Sequence, residues 1–326
     1  MERMPSFELH RPSALAEVTD MLAANDNARL LAGGTDLLPN LRRGIERPGV
    51  VIDLGAVAAL AEVRAEDNGL AVGAGVTLTR LASDPQIERQ YPAISQAAGS
   101  VAGRGHRNAA TVGGNLCLDT RCVFYNQSEW WRAANDYCLK RGGKVCHVAP
   151  LGERCHAAFS GDLAPALLVL ASEVELASVR GLRRLPLAEL YRDDGAAHLT
   201  MARDEILTRV FIPVDSQALS SRYRKARVRA ATDFPLAGVA VAVAMHGDRI
   251  GHLRVALTGT NAMPFLIAGC DELIGHPVKP DVLGRLGKLI QKQAGPMRTT
   301  VTQSNYRRQV AAVLAQRLLD ELANPV

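Results

Sequence analysis

Leu30-Leu31-Ala32-Gly33-Gly34-Thr35-Asp36 is a short apolar strand running straight into a paired-glycine turn. Glycines take positive φ without steric cost and let backbone amides approach a ligand closely. Successive N–H groups in such a turn can cradle a pyrophosphate. Val50-Val51-Ile52-Asp53-Leu54 reads as a second buried strand and Leu70 to Val76 as a third. Upstream, Ser13 reads as the N-cap of a helix whose apolar stripe is Leu15, Val18 and Leu22. This succession of strand, turn and helix argues for a mixed α/β domain. Thr111-Val112-Gly113-Gly114-Asn115 repeats the paired-glycine turn, and Gly73-Ala74-Gly75 offers a third close approach. None is a nucleotide fingerprint alone: the last lacks the final glycine of the dinucleotide pattern, and no Walker sequence exists. Each also reads as a tight turn and nothing more.

Asp84-Pro85 breaks the chain before a helical segment near Tyr91 to Val101, and Ala164 to Leu170 reads as a helix followed by the strand Val174-Glu175-Leu176. Asp162 either accepts a hydrogen bond from a ribose or, more plainly, caps the helix that follows it. Ile206 to Ile212 is a further strand, and the polar Val214-Asp215-Ser216-Gln217 marks a boundary after Pro213. Beyond it, Phe234 to Met245 and Leu253 to Leu257 have strand character, and Val282 to Ala294 is a helix that Gly295-Pro296 ends. Val310, Val313, Leu314, Arg317 and Leu318 define an amphipathic terminal helix.

At 326 residues the chain has room for two or three domains, and its 48% hydrophobic content is that of a folded protein. No run of about 18 apolar residues is long enough to span a membrane. Met1 to Pro12 has neither an apolar core nor a cleavage pattern, so a cytoplasmic location is expected. The net charge of +5 is scattered and aromatics are only 4%, which leaves no platform for single-stranded nucleic acid. Positive charge suits the phosphates of a cofactor or an acidic partner.

Five of the six cysteines fall between Cys117 and Cys155, and Cys270 stands alone. In a reducing compartment such a concentration reads as metal-binding or reactive thiols before disulfides. There is no Cys-x-x-Cys pair, which argues against a zinc ribbon, a thioredoxin-like site and the usual ferredoxin run. The wide spacing brings each ligand from a separate turn, with bends at Gly142-Gly143 and Pro150-Leu151-Gly152. His147 and His156 adjoin thiols, as ligands or as surface donors. Arg121, Arg132, Lys140, Arg141, Lys144 and Arg154 would offset the charge of a thiolate-bound centre. Sulfur ligands suit an iron–sulfur cluster or zinc. Buried reduced cysteines without metal are the plain alternative.

These segments resemble the flavin-binding medium subunits of the molybdenum hydroxylases, the xanthine dehydrogenase and carbon monoxide dehydrogenase group. Ala32-Gly33-Gly34-Thr35-Asp36-Leu37 resembles the first FAD loop of that family and Ala110-Thr111-Val112-Gly113-Gly114-Asn115-Leu116 the second. Ser160-Gly161-Asp162-Leu163-Ala164-Pro165-Ala166-Leu167 resembles the segment that follows. Tyr223-Arg224-Lys225, with Arg229 and Asp233, resembles the opening of the C-terminal domain, and Tyr306-Arg307-Arg308 its end. Asp119-Thr120-Arg121-Cys122, the run Phe124 to Arg132 and Asp136-Tyr137-Cys138-Leu139-Lys140 resemble the beta subunits of the 4-hydroxybenzoyl-CoA reductase subgroup.

The resemblance implies an α+β fold. It has a two-part FAD-binding domain of the PCMH/vanillyl-alcohol-oxidase-like type at residues 1–215, with lobes at about 1–58 and 59–215, an iron–sulfur insertion at about 120–159, and a smaller C-terminal domain of the CO dehydrogenase flavoprotein type at 216–326. It implies FAD contacts from Leu31, Ala32, Gly33, Gly34, Thr35, Asp36, Leu37, Ala74, Ala110, Thr111, Gly113, Gly114, Asn115, Asp162, Leu163 and Lys225, and a [4Fe–4S] cluster on Cys122, Cys138, Cys146 and Cys155. Backbone amides of both glycine loops would carry the diphosphate, Asp162 would meet the adenosine portion or organise its loop, and Lys225 would lie near the isoalloxazine ring. Cys117 is the spare thiol. Partners would be a large subunit with the molybdenum cofactor and a small subunit with two [2Fe–2S] centres, in a dimer of heterotrimers. Electrons would pass from reduced ferredoxin through [4Fe–4S] and FAD towards those centres for reductive dehydroxylation of an aromatic acyl-CoA. The acidic ferredoxin would meet the basic insertion. Trp130 and Trp131 would serve an interface or, preferably, pack the insertion against the flavin domain. Three other readings stay open: an oxidative member of the family, an assembly or structural subunit, and a zinc-stabilised module.

Overall fold

The computed structural model of the chain describes residues 4–297 and 302–324. Its first sheet holds β1 (Glu8–His10), β2 (Ala28–Leu31) and β3 (Val50–Asp53) in the order β1-β3-β2, all parallel. Parallel neighbours need crossovers, supplied here by α1 (Leu15–Ala24) and α2 (Leu37–Arg42). Ala14, not Ser13, takes the cap position of α1. The amides of Ser13 and Ala14 donate to the Glu17 carboxylate at 2.8 and 3.1 Å, so an acid in the first turn reaches back to the amides at and before the cap, and no serine hydroxyl caps the helix.

The second sheet holds β4 (Val63–Glu66), β5 (Gly69–Gly73), β6 (Glu173–Ser178), β7 (Gly181–Pro186) and β8 (Ile206–Pro213). Their order is β4-β5-β8-β6-β7, antiparallel throughout. Between β5 and β6 the chain forms α3 (Leu78–Ser83), α4 (Pro85–Gln90), α5 (Pro92–Ser100), α6 (Arg104–Ala109), α7 (Val112–Leu116), α8 (Glu129–Ala134) and α9 (Leu163–Val169). The cysteine-bearing insertion surrounds α8.

The third sheet, β12-β11-β10-β9, is antiparallel: β9 (Ser220–Ala226), β10 (Ala237–His246), β11 (Arg249–Thr258) and β12 (Phe265–Leu266). The sequence of β10 explains how this sheet is sandwiched. Val239, Val241 and Val243 share a core with α10 (Pro280–Gln293) and α11 (Ser304–Ala323), while Ala240 and Ala242 share one with α9. The period of two sends large side chains to one face and small ones to the other, so α9, all seven of whose residues are buried, approaches the alanine face closely. One core therefore runs from Leu70 and Val72 of β5 through Leu167 and Leu168 to Ala240 and Ala256. Among the described residues no helix is long and apolar enough to cross a membrane.

Candidate functional site

The three glycine turns meet at one place. A Cβ on Gly33 would lie 1.8 Å from the Ala109 carbonyl oxygen, so the first loop abuts the start of the second backbone to backbone. Gly34 takes φ +69°, which turns the strand β2 towards α2. The second loop lies along the extension of β5: Val112 N–H donates to Val76 O at 2.9 Å and Gly113 N–H to Ala74 O at 2.8 Å. A Cβ on Gly113 would meet the Ala74 methyl at 2.8 Å. Gly73 approaches the Leu60 carbonyl in the same way, so this third close approach is to protein.

The amides of the two loops differ. Among the described residues none of the N–H groups of Gly33, Gly34, Thr35, Asp36 and Leu37 donates within the protein. In the second loop Gly114 N–H goes to Thr111 Oγ1 at 3.1 Å and Asn115 N–H to Thr111 O at 2.9 Å. Within the protein, Thr111, capping α7, and Ala74 take the amides of the second loop, whereas those of the first have no such partner among the described residues. Ala110 is bound at both ends, its N–H to His106 O at 2.7 Å and its carbonyl to Leu78 N–H at 2.9 Å. Leu163 is fully buried in the core and presents no side chain to a ligand. Leu31 and Ala32 are half-buried at the end of β2.

Asp162 and Lys225 lie together in the interior, where β9 reaches the N-terminus of α9. Lys225 Nζ donates to Asp162 Oδ2 at 3.0 Å, with side-chain exposures of 3% and 4%. Tyr223 Oη donates to Asp162 Oδ1 at 2.5 Å. Residues 223 and 225 share one face of the strand, so both reach one carboxylate. Gly238 on the neighbouring strand makes room, since a Cβ there would lie 2.3 Å from the Tyr223 hydroxyl. Burial holds the Asp162 carboxyl above the ordinary range, with Lys225 and Tyr223 opposing it. Asp162 does not cap α9. Asn115 Oδ1 does so, accepting from Leu163 N–H at 3.0 Å. Both oxygens of Asp162 are engaged and the cation of Lys225 is paired, so the pair organises the loop and joins the domains. Sequence reasoning missed Tyr223 as a partner, although its i, i+2 spacing from Lys225 was available.

The insertion closes on itself. Arg121 and Ala158 exchange backbone hydrogen bonds at 2.9 and 2.8 Å, pinning its two ends. Inside, Cys122, Cys138, Cys146 and Cys155 all line one cavity of about 10 Å³, room for about one water, with Phe124, Tyr125, Lys140 and His147 among its walls. Burial pushes the Cys155 thiol up to about 11 and raises that of Cys122, where Cys138 and Cys146 add to the effect. The spare Cys117 lies elsewhere, its Sγ 3.8 Å from Met201 Sδ, with burial pushing its thiol up to about 12. Lys140 Nζ is held by Asp119 at 2.6 Å and by Thr120, and sits 4.5 Å from the Tyr125 ring centroid. His147 stacks on Phe124, and its Nε2 is 2.6 Å from Tyr137 O. His156 is not among the cavity walls. Trp131 packs on Phe124 within the insertion, while Trp130 is 72% exposed and does not seal the insertion against the flavin domain. Among the described residues no set of three or more His, Cys, Asp or Glu is grouped to hold a single metal ion.

Residues 5–215 match the FAD binding domain in molybdopterin dehydrogenase, and residues 221–322 match the CO dehydrogenase flavoprotein C-terminal domain. The chain belongs to the FAD-binding subunits of the molybdopterin dehydrogenase family. This flavin subunit is 32% identical over 285 residues to the aldehyde oxidoreductase FAD-binding subunit of Escherichia coli K12, covering 84% of this chain and 87% of that one. It is 26% identical over 315 residues to a putative xanthine dehydrogenase FAD-binding subunit of the same strain, covering 96% and 94%. Its fold is that of a carbon monoxide dehydrogenase chain from Hydrogenophaga pseudoflava, with TM-score 0.81, 98% of each chain covered and 20% identity. The quinoline 2-oxidoreductase of Pseudomonas putida 86 gives TM-score 0.79 over 98% of each chain at 23% identity. The flavin subunit is thus an FAD-binding oxidoreductase chain of the molybdenum hydroxylase type. The open amides of residues 33–37 suit the anionic part of FAD.

Proposed function

We propose that this chain is the electron-transferring beta subunit of a molybdenum-dependent aromatic acyl-CoA reductase of the 4-hydroxybenzoyl-CoA reductase type. In this reading its partners are a large subunit with the molybdenum cofactor and a small subunit with two [2Fe–2S] centres, assembled as a dimer of heterotrimers in the cytoplasm, with reduced ferredoxin as donor. The observation that carries the reading is the gathering of Cys122, Cys138, Cys146 and Cys155, far apart in sequence, around one cavity. The chemistry of these donors fits a [4Fe–4S] centre: four thiol sulfurs are soft ligands, and a cationic centre would take the place of their protons. A cubane is larger than the present void. All four cysteines lie in irregular backbone, so their sulfurs can spread without breaking a sheet ladder. When bound, FAD supplies one- or two-electron transfer and the cluster one-electron transfer.

The chain's own residues would set the environment of both groups. Lys140 stands in the cavity wall and Arg121 next to Cys122, placing two buried cations where negative charge would accumulate. The first loop would hold the diphosphate through the amides of residues 33–37. Lys225, paired with Asp162, would act on the flavin by fixing its loop. The second reading, an oxidative hydroxylase, is favoured by relatives named as xanthine dehydrogenase and aldehyde oxidoreductase subunits.

Iron and flavin analysis of the purified complex tests the proposal, with reduction assays on an aromatic acyl-CoA and oxidation assays on a purine. Cys138→Ser is expected to lose the cluster iron of this chain while FAD still copurifies. Zinc in place of iron, an undiminished iron content in the variant, or purine turnover without acyl-CoA reduction would overturn it.

A further inference from the structure

Asp36 occupies the cap position of α2, yet its side chain caps nothing. An aspartate there ordinarily turns its carboxylate onto the first amides of its own helix. Here the carboxylate is held elsewhere. Arg121 Nη2 donates to Oδ1 at 2.9 Å and Oδ2 at 3.0 Å, and Asn40 Nδ2 donates to Oδ2 at 2.9 Å. Arg121 is nine-tenths buried, belongs to the insertion and directly precedes Cys122. Its guanidinium lies 5.5 Å from the ring centroid of Tyr125, a wall of the cysteine cavity. A second buried arginine of the insertion, Arg132, reaches Gly44 O, just beyond the other end of α2, at 3.4 Å. The insertion therefore touches both ends of the helix that follows the first flavin loop.

We infer that Arg121 is a positioning residue for the flavin cradle: it holds the Asp36 carboxylate away from the amides of residues 33–37, which are thereby kept open for the anionic part of FAD. Without Arg121, that carboxylate is an internal anion competing with the ligand for the same donors. The cysteine insertion and flavin affinity are then linked, and linkage is reciprocal. The link to Arg121 rests on FAD binding alone. Its extension to cavity loading rests on the proposed cluster.

The test is the FAD dissociation constant of the purified complex, read from flavin fluorescence. Arg121→Met is expected to weaken FAD about tenfold, the scale of one charge-assisted hydrogen bond. Adding Asp36→Asn to it removes the competing charge and should restore most of the affinity, although the insertion stays unpinned. Arg141→Met, on a half-buried insertion residue that forms no ion pair among the described residues, should change affinity less than about twofold. Saturating FAD should also slow modification of the cysteine thiols in iron-free wild-type complex, and not in Arg121→Met. If Arg121→Met fails to assemble, Arg121→Lys and Arg121→Gln with and without Asp36→Asn make the same comparison. Wild-type affinity in the single variant, or a double variant no tighter than the single, would overturn the inference. Iron analysis of the same wild-type preparation judges the cluster separately.

Discussion

Replacing Lys225 with Met removes one member of a buried ion pair and leaves the Asp162 carboxylate in the interior with Tyr223 as its remaining side-chain partner. Breaking such a pair costs about 3–5 kcal/mol, most of it the penalty of an uncompensated buried charge. That penalty depends on pH in a direction the structure fixes. Burial already raises the Asp162 carboxyl, and Lys225 is the largest opposing influence, so its loss raises the carboxyl further. The folded variant then keeps a proton that the unfolded chain releases, and its stability is lost as pH rises through the folded value. Below the ordinary carboxyl range Asp162 is neutral in both states, and the cost falls towards that of a lost hydrogen bond, about 1 kcal/mol. The deficit of the variant should therefore be large at pH 8 and much smaller near pH 4. Urea unfolding followed by far-UV circular dichroism reads this. Tryptophan fluorescence does not, because both tryptophans, Trp130 and Trp131, sit in the insertion. Asp162→Asn combined with Lys225→Met should recover much of the loss, since no charge is then stranded. A pH-independent deficit, or a double variant as unstable as the single, would refute the reasoning.

Gly33→Ala should reduce bound flavin at least tenfold, measured as flavin absorbance remaining after gel filtration. Its Cβ would lie 1.8 Å from Ala109 O, and relieving that contact must part the two loops by more than 1 Å. Ala171→Gly should stabilise the chain by about 0.5–1 kcal/mol in the same unfolding assay, because Ala171 holds φ 54° in the left-handed region where a Cβ is strained.

Seven of the twelve strands among the described residues, the glycine turns and the two-domain division were legible because each is a local signal: apolar runs, paired glycines, a polar break after Pro213. The short or polar β1, β4, β7, β9 and β12 were not. The valine–alanine alternation of β10 was equally local, and it determines which face meets α9. What could not be read was which partner each polar group would find. Asp162 looked like a helix cap because it precedes α9, but Tyr223 and Lys225, more than sixty residues away, outcompete the local amide, and Asn115 takes over the cap. Gly113 and Gly114 looked like open donors because glycine pairs often are. The Gly113 amide goes to Ala74 O because the second loop lies along the extension of β5, a register invisible without the sheet, and the Gly114 amide goes to the Thr111 hydroxyl. Arg121 was legible only as charge. Its bond to Asp36 spans 85 residues.

The fate of the insertion's basic residues changes what its surface can recognise. Arg121, Arg132 and Lys140 are buried and paired with Asp36, Glu129 and Asp119, and Arg154 pairs with Asp193. Arg141 and Lys144 remain without an ion pair among the described residues, and the exposed Asp136 and Glu153 offset them. The positive charge is therefore turned inward, towards the cysteine cavity and the first flavin loop, where low dielectric makes it act strongly. An acidic donor meeting this face would find little net charge to steer it. It would find Trp130, Val145 and Leu151, all exposed, so contact with the insertion would depend on apolar anchors and vary weakly with salt. In the proposed reading the inward charges would stabilise a reduced centre, and the outward apolar residues would supply the contact. A segment rich in lysine and arginine would thus do both without presenting a basic surface.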